Sequence, residues 1–517
     1  MTTTLARVDI DPDKPDRIAV WSDYRVKDAV KAVPGAKWDA DLRRWTVPRT
    51  WPSCIALRRQ LGDALVIEPD LNAWATDVRD EKTALRDLHT NVDGHCVDPV
   101  DRPGFDSLYP FQLAGAFAIS VAESYCLFDE TGCGKSRTSL AGLAYAQSYG
   151  IEIFPLLIVA PKSMLITWAR DEVPRYFPDA KVSVVSGTPS NLKKAMEPGF
   201  DVYVASYDTI RRYSRHAAYP TVKLTEDEKL DKELNKISWQ SIIADEIHRA
   251  KNPASKQTRA LWQLGQNARF RIGLTGTPMQ DTPEDLWSIL RFISPDEYPT
   301  KSAYVDRFLR VTYNVWGGRE IHGLNPTNEA EFINNLETRY RRVTKAAVLK
   351  FLPEKVYETR WVELPSRMRK AYESMKKVMV SELESGDTLA AKSVLERAGR
   401  LTQLANASGE VDADGNYKMA LPSPKIDAFM EDVLDGDFDG QQVVVFSDSR
   451  QLVDLLSEVM TKKKIGHVCI TGSVVGDDRQ KAMDTFQNGD VQFILLTRAG
   501  GEGITLTAAS TMVRLIR

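Results

Sequence analysis

The chain has 517 residues, a formal net charge of −3, 43% hydrophobic residues and 27% charged residues. This is the balance of an ordinary globular protein, and it excludes both a disordered polyelectrolyte and a uniformly basic nucleic-acid coat. The length exceeds what one hydrophobic core organises and predicts roughly three or four units.

The longest apolar runs, such as Phe154 to Ala160 and Val443 to Phe446, are strand-sized. They fall far short of the roughly 20 residues that span a bilayer, so no membrane partner is expected. The N-terminus, MTTTLARVDIDPDKPDR, lacks the apolar stretch of a signal peptide, which makes cytoplasmic residence the expectation. Cys54, Cys96, Cys126, Cys133 and Cys469 form no CxxC pair, so neither a disulfide framework nor a zinc site is predicted.

The first distinctive segment runs from about Arg17 to Trp74. Between Arg17 and Asp63 it holds ten Lys/Arg against five Asp/Glu, a local excess of +5 in an acidic chain. Pro34-Gly35, Lys37-Trp38-Asp39 and Arg43-Arg44-Trp45 predict a small β-hairpin, with Trp38 and Trp45 forming a mini-core and the arginines facing out. Residues 76–105 are read as a linker.

From about Ser124, short β-branched runs alternate with helix-length segments: Phe154 to Val159, Val182 to Val185, Val202 to Ala205, Ser241 to Ala244 and Phe270 to Leu274. This is the pattern of a parallel sheet covered on both faces. The charged stretch Val222 to Lys236 is expected as a solvated loop or surface helix. Residues 296–420 are read as a helical insertion, with one helix over 366–385 and a surface turn connecting helices at Ala405 to Tyr417. A second strand series follows at 443–446, 467–470 and 492–497. The predicted division is therefore 1–75, 76–105, 106–295, 296–420 and 421–517.

Two strings carry chemistry. The apolar segment at 126–130 runs into Thr131-Gly132-Cys133-Gly134-Lys135-Ser136 and then into helix-forming residues. Glycines let backbone N–H groups close around phosphate oxygens, and a helix N-terminus adds positive charge. Lys135 would neutralise the β and γ phosphates and the Ser136 hydroxyl would ligate Mg2+. Asp129 stands where the longer GxxxxGK[ST] pattern has its first glycine. After the apolar run 241–244 come Asp245 and Glu246. Adjacent carboxylates at a strand end can divide labour, Asp245 holding Mg2+ and Glu246 orienting or deprotonating the attacking water of ATP hydrolysis.

With these strings in order, the chain from about Leu108 onward resembles the Swi/Snf family of helicase superfamily 2. LYPFQLAG matches the family's adenine-sensing motif, DEIHRAKN its DExH box, and GLTGTPMQD at 273–281 its third motif. Arg341, Arg342, Val348, Leu352, Pro353 and Lys355 match a linker signature, and VVVFSDSR, TGSVVGDDRQKAMDTFQ and LLTRAGGEGITLTAA match later motifs. Asp281 and Thr505 stand where the family usually has Asn. The resemblance implies an α/β fold of two RecA-like parallel-sheet lobes, the second incomplete at its C-terminal side, with a helical insertion and a small α+β N-terminal module. It implies an ATP site of Gln112, Thr131, Gly132, Cys133, Gly134, Lys135, Ser136 and Gly503, catalysis by Lys135, Asp245 and Glu246, and coupling through His248, Thr275 and Thr277.

The resemblance also implies a double-stranded or forked DNA partner held through its backbone. The matching positions are Lys162 and Ser163, then Ser206, Tyr207, Arg211 and Arg212 with nearby Arg215, and Ser447 and Thr497 in the second lobe. The N-terminal segment is similar to the HARP-like modules that precede the motor in annealing helicases and their compact bacterial and phage relatives, where Arg43 and Arg44 would meet DNA. A bacterial or phage-infected cell is the setting this suggests. The family continues to a motif VI whose arginines reach the γ-phosphate, while this sequence stops at STMVRLIR. The expectation is a chain that binds ATP but turns over poorly unless a C-terminal partner chain supplies motif VI. Three readings follow: a DNA-stimulated translocase, an ATP-switched DNA clamp, and a strand-separating or RNA-directed helicase.

Overall fold

The computed structural model describes residues 5–516 apart from 34, 91–99, 218–221, 231, 280–281, 315–317, 350–354, 384–387, 392, 413–415, 475–476, 502–503 and 505. Pro34, Cys96, Asp281, Leu352, Pro353, Gly503 and Thr505 therefore lie outside the described residues. The chain forms two compact units, Met1–Pro353 and Glu354–Arg517.

The first unit begins with a five-stranded sheet of β1 (Ala6–Ile10), β2 (Arg17–Ser22), β3 (Lys37–Asp39), β4 (Arg44–Pro48) and β5 (Leu65–Ile67), in the order β3-β4-β2-β1-β5. Helix Trp51–Leu61 starts on the Thr50 hydroxyl, which accepts from Ser53 N. The core of this module is aliphatic, built from Val8, Ile18, Val20, Val30, Val47 and Leu57. The expected tryptophan mini-core is met only in part: Trp45 of β4 packs against this aliphatic core, while Trp38, edge-to-face with it on edge strand β3, remains 52% exposed. The next helix, Pro69–Thr90, extends through much of the expected linker and buries Leu85 and Leu88 in the core of the following lobe.

That lobe is a seven-stranded, wholly parallel sheet. Its strands are β6 (Ser124–Leu127), β7 (Leu156–Ala160), β8 (Val182–Val185), β9 (Val202–Ser206), β10 (Ser241–Asp245) and β11 (Phe270–Leu274). After the hairpin β12 (Leu309–Tyr313) and β13 (Arg319–Leu324), the chain returns as β14 (Tyr340–Arg341), giving the order β14-β6-β11-β10-β7-β9-β8. Strands β7, β9 and β10 are buried along their whole length because apolar clusters cover both faces. Residues 296–353 belong to this unit, with Tyr298, Tyr304, Phe308 and Phe332 packed into its core. Leu234 is also buried there, so the charged stretch 222–236 is anchored rather than wholly solvated.

The second unit holds β19 (Val443–Ser447), β20 (His467–Ile470), β21 (Phe493–Thr497) and β22 (Thr511–Arg514), parallel and ordered β20-β21-β19-β22. Its preceding segment carries hairpins β15 (Val380–Glu382) with β16 (Thr388–Ala390), and β17 (Ser408–Val411) with β18 (Tyr417–Ala420). The segment read as one helical insertion is thus divided between the two units and is partly β. Its helix spans Ser366–Val378, because Met379 takes a left-handed φ of 60° and the chain turns into β15. The turn within 405–417 joins strands, not helices.

Candidate nucleotide and nucleic-acid site

The order of the parallel sheet decides which loops meet. β6, β11 and β10 are consecutive neighbours, so the loops at their C-terminal ends share one crevice, the place where open α/β sheets hold ligands. After β6 comes the glycine loop. Gly132 and Gly134 have φ of 90° and 77°, values that side-chain-bearing residues rarely adopt. Gly134 is the N-cap of helix Lys135–Ser148 and offers no capping side chain, which leaves the helix's first N–H groups available to an anion. Lys135 Nζ donates to the Asp129 carbonyl at 2.9 Å. Ser136 is half-buried and Thr131 is exposed.

Gln112 closes one side. Its Oε1 accepts from Tyr109 N at 3.0 Å and its Nε2 donates to the Cys133 carbonyl at 3.0 Å, so it caps its own helix, Pro110–Ala122, and pins the loop at once. Cys133 itself is buried in a small apolar cluster with Phe111, Val343 and Leu349.

After β10 come the two carboxylates. Asp245 is buried; its Oδ2 accepts from Trp168 Nε1 at 3.0 Å and its Oδ1 from Glu246 N at 3.0 Å. Burial pushes the Asp245 carboxyl up to about 6, against the opposing pull of the Trp168 hydrogen bond and the Lys135 charge. Glu246 sits at a left-handed φ of 50°, a strained conformation that throws its side chain out of the strand line. Burial raises its carboxyl too, but the His248 hydrogen bond and the charges of His248, Lys135 and Arg249 outweigh that and leave it below the ordinary value. His248 Nδ1 lies 3.1 Å from Glu246 Oε2 and 2.9 Å from Thr275 Oγ1. Thr275 Oγ1 accepts from Thr277 N at 3.1 Å. Glu246, His248, Thr275 and Thr277 thus form one polar chain linking the ends of β10 and β11.

Two supports of this site were not foreseen. Trp168, at the start of a π-helical turn spanning Trp168–Glu172, fixes Asp245. Arg341, expected in a linker, lies in β14 and joins buried Asp129: Nη2 meets Oδ2 at 2.7 Å, and Val343 N donates to Oδ1 at 3.1 Å. Their side chains are 4% and 0% exposed. Asp129, which stands where the longer pattern has its first glycine, is therefore the anchor of the loop's entry.

The sites expected to touch nucleic acid divide sharply. Lys162, Arg211, Arg212 and Arg43 are exposed and Ser163 is half-buried. Arg211 and Arg212 both pair with Asp208, and Arg215 lies 4.0 Å from Glu228. Four residues are corrected to buried structural roles. Tyr207 is buried and its hydroxyl donates to the Asp245 carbonyl at 2.7 Å, buttressing the carboxylate strand. Ser206 caps helix Tyr207–Tyr213. Ser447 donates to the Leu515 carbonyl at 3.2 Å, and Thr497 is buried at the end of β21, accepting from Gly500 N at 3.4 Å. Arg44 is corrected as well: its Nη2 lies 2.6 Å from both Asp11 and Asp13, which consumes its charge inside the module.

A glycine loop on one strand, paired carboxylates on the next but one and a threonine relay between them define a P-loop nucleoside-triphosphatase core. A family model described as the SNF2-related domain matches residues 80–410, and one described as the helicase conserved C-terminal domain matches residues 425–515. The chain belongs to the SNF2-related family. It is 28% identical over 433 residues to the ISWI chromatin-remodeling complex ATPase ISW1 of Saccharomyces cerevisiae, covering 78% of this chain and 35% of that one. It is 24% identical over 444 residues to the uncharacterized ATP-dependent helicase MG018 of Mycoplasma genitalium, covering 85% and 40%. The chain thus spans well under half the length of these relatives. Among solved structures it resembles the Sulfolobus solfataricus SWI2/SNF2 ATPase core in complex with dsDNA, with a TM-score of 0.41, 21% identity and coverage of 81% of this chain and 83% of that one. Among the described residues no helix is long and apolar enough to cross a membrane.

Proposed function

We propose that the chain is a DNA-stimulated ATPase that couples ATP hydrolysis to translocation on, or remodelling of, duplex or forked DNA. The observation that carries this reading is the polar chain Glu246–His248–Thr275–Thr277 beside the glycine loop, with Lys135 contributing charge to both carboxylates. Lys135 and the loop amides around Thr131, Gly132, Cys133 and Gly134 bind the phosphates, and Gln112 stands at the nucleoside side. Glu246, held ionised and aimed by His248, orients and deprotonates the attacking water. His248, Thr275 and Thr277 relay the state of the γ-phosphate to the neighbouring strand.

Ser136 and Asp245 would hold Mg2+, which would supply positive charge against the charge that develops on the phosphates. The residues fit that ion. Asp245 is a buried carboxylate with no cationic side chain within ion-pair distance among the described residues, and burial raises its pKa, so a cation beside it would favour its charged form.

Family membership and the names of relatives such as ISW1 support a DNA substrate. The exposed side chains Lys162, Arg211, Arg212 and Arg43, with Ser163 at the same loop as Lys162, are the phosphate contacts this reading assigns. Steady-state ATP hydrolysis without nucleic acid, with duplex DNA, with forked DNA and with RNA, each for wild type and Glu246→Gln, is the test. Stimulation by duplex or forked DNA that vanishes in Glu246→Gln is expected. ATP and DNA binding without stimulated turnover would leave a nucleotide-switched DNA clamp instead.

A further inference from the structure

We infer that Lys345 is a second phosphate-directed lysine of the nucleotide site, an ammonium that contacts the polyphosphate of bound nucleotide and sets its affinity. The inference rests on the nucleoside-triphosphatase reading above and concerns a residue that no motif in the sequence marked. Its basis is the way β14 is laid against the glycine loop.

The pairing of β14 with β6 does not stop at the strand ends. Phe128 N donates to the Arg341 carbonyl and Glu130 N to the Val343 carbonyl, both at 2.8 Å, so the chain after β14 runs alongside the loop's entry. The Glu130 carboxylate then accepts the Lys345 amide at 2.8 Å and fixes that residue's backbone beside Thr131. Val343 and Leu349 pack with Phe111 and Cys133, which seats the short helix Lys345–Val348 on the loop. Backbone and apolar anchors therefore flank Lys345 on both sides.

Its side chain follows. A Cβ built on Gly132 would lie 2.8 Å from both Cε and Nζ of Lys345, so the ammonium rests on the glycine that the loop needs at φ +90°. Lys345 is half-buried, and among the described residues no carboxylate lies within ion-pair distance of its Nζ. A lysine held over an anion-binding loop without a carboxylate partner is a charge kept for the ligand. Nearby acids make the point sharper. Asp129 is committed to Arg341, and Glu130 spends its carboxylate on a backbone amide instead of the ammonium.

The test separates charge from packing. A fluorescent ATP analogue with Mg2+ is titrated into the full chain in a Glu246→Gln background, so that binding is read without hydrolysis. Lys345→Met keeps the stem that covers Gly132 and removes the charge. It is expected to weaken binding about tenfold, with the gap narrowing as salt rises. Lys345→Arg is expected to stay within about threefold of the parent, and unfolding midpoints without nucleotide should not move. Should Lys345→Ala lose affinity while Lys345→Met does not, the side chain is packing material and the inference is overturned. Equal affinity for all three variants overturns it too. If the parent binds no nucleotide at all, the ATPase reading falls together with this inference, whereas normal parental binding with an indifferent Met variant sinks this inference alone.

Discussion

The ends of β6, β10 and β11 and the ends of β9, β19 and β21 are built from similar residue types and do opposite things. At the first group, polar side chains face one another across a crevice: Glu246, His248 and Thr275 are linked there, and Lys135 reaches back to the loop entry. At the second group the hydroxyls turn inward and are spent on backbone, Ser206 on a helix cap, Ser447 on the Leu515 carbonyl and Thr497 on Gly500 N. The difference teaches that a serine or threonine at a strand end is by default a device for shaping the turn. It joins a functional chain where a second polar side chain reaches it as well, as His248 Nδ1 reaches Thr275 Oγ1, which also accepts from Thr277 N.

The sharpest way to break the comparison is to attack the support of the first group. Arg341→Ala would strand the buried Asp129 carboxylate, and should cost about 3–5 kcal/mol in denaturant unfolding. The pair Asp129→Leu with Arg341→Met should recover most of that. If Arg341→Ala unfolds like wild type, the loop does not depend on this anchor.

Asp245→Asn comes next, with an effect of opposite sign. The native pKa of about 6 lies above the ordinary 3.8, so the folded state holds this proton more tightly than the unfolded one. The cost of burying the charge therefore appears as pH rises from about 4 to 6 and stays constant above. The shift of about 2 units corresponds to at most about 3 kcal/mol. Without Mg2+ and nucleotide, Asp245→Asn should be more stable than wild type at pH 7 to 8 and equal to it below pH 4, while losing turnover. A thermal unfolding series against pH reads both the sign and the window.

Smaller effects sharpen the other side. Ser206→Ala should lose about 1 kcal/mol of stability through the cap and leave DNA affinity within about twofold. Ser447→Ala should lose about 1 kcal/mol or less through one hydrogen bond, again without a change in the salt dependence of DNA binding. Lys162→Ala, at an exposed position, should do the reverse: unchanged stability and a shallower salt dependence in an anisotropy titration. A DNA defect in Ser206→Ala without a stability loss would restore that hydroxyl to the nucleic-acid surface.

What was legible in the sequence was what local chemistry dictates. Thr131 to Ser136 names a phosphate loop because glycine and lysine at that spacing have few other uses, and the strand runs at 182–185, 270–274 and 467–470 coincide with β8, β11 and β20. What was illegible was contact between distant residues. Asp129 and Arg341 are 212 positions apart, and Asp245 and Trp168 are 77 apart; neither pairing leaves a periodic trace. The buried hydroxyls were misread for a different reason: their burial depends on strand register, which a string of letters does not carry. Arg44 was misread because its partners, Asp11 and Asp13, lie in the turn between β1 and β2, 33 and 31 positions before it and outside the hairpin string that suggested it.

The late position of β14 also bears on how the molecule is made. The glycine loop is among the early parts of the lobe to leave a ribosome, but the strand that flanks it and the arginine that anchors it come more than 200 residues afterwards. A nascent chain that has not reached residue 340 carries every letter of the phosphate loop with one edge of its sheet still open. The anchored form of the loop is therefore reached only once residues 340–343 have been made, and the interval before that is when this edge is most exposed to association with another copy.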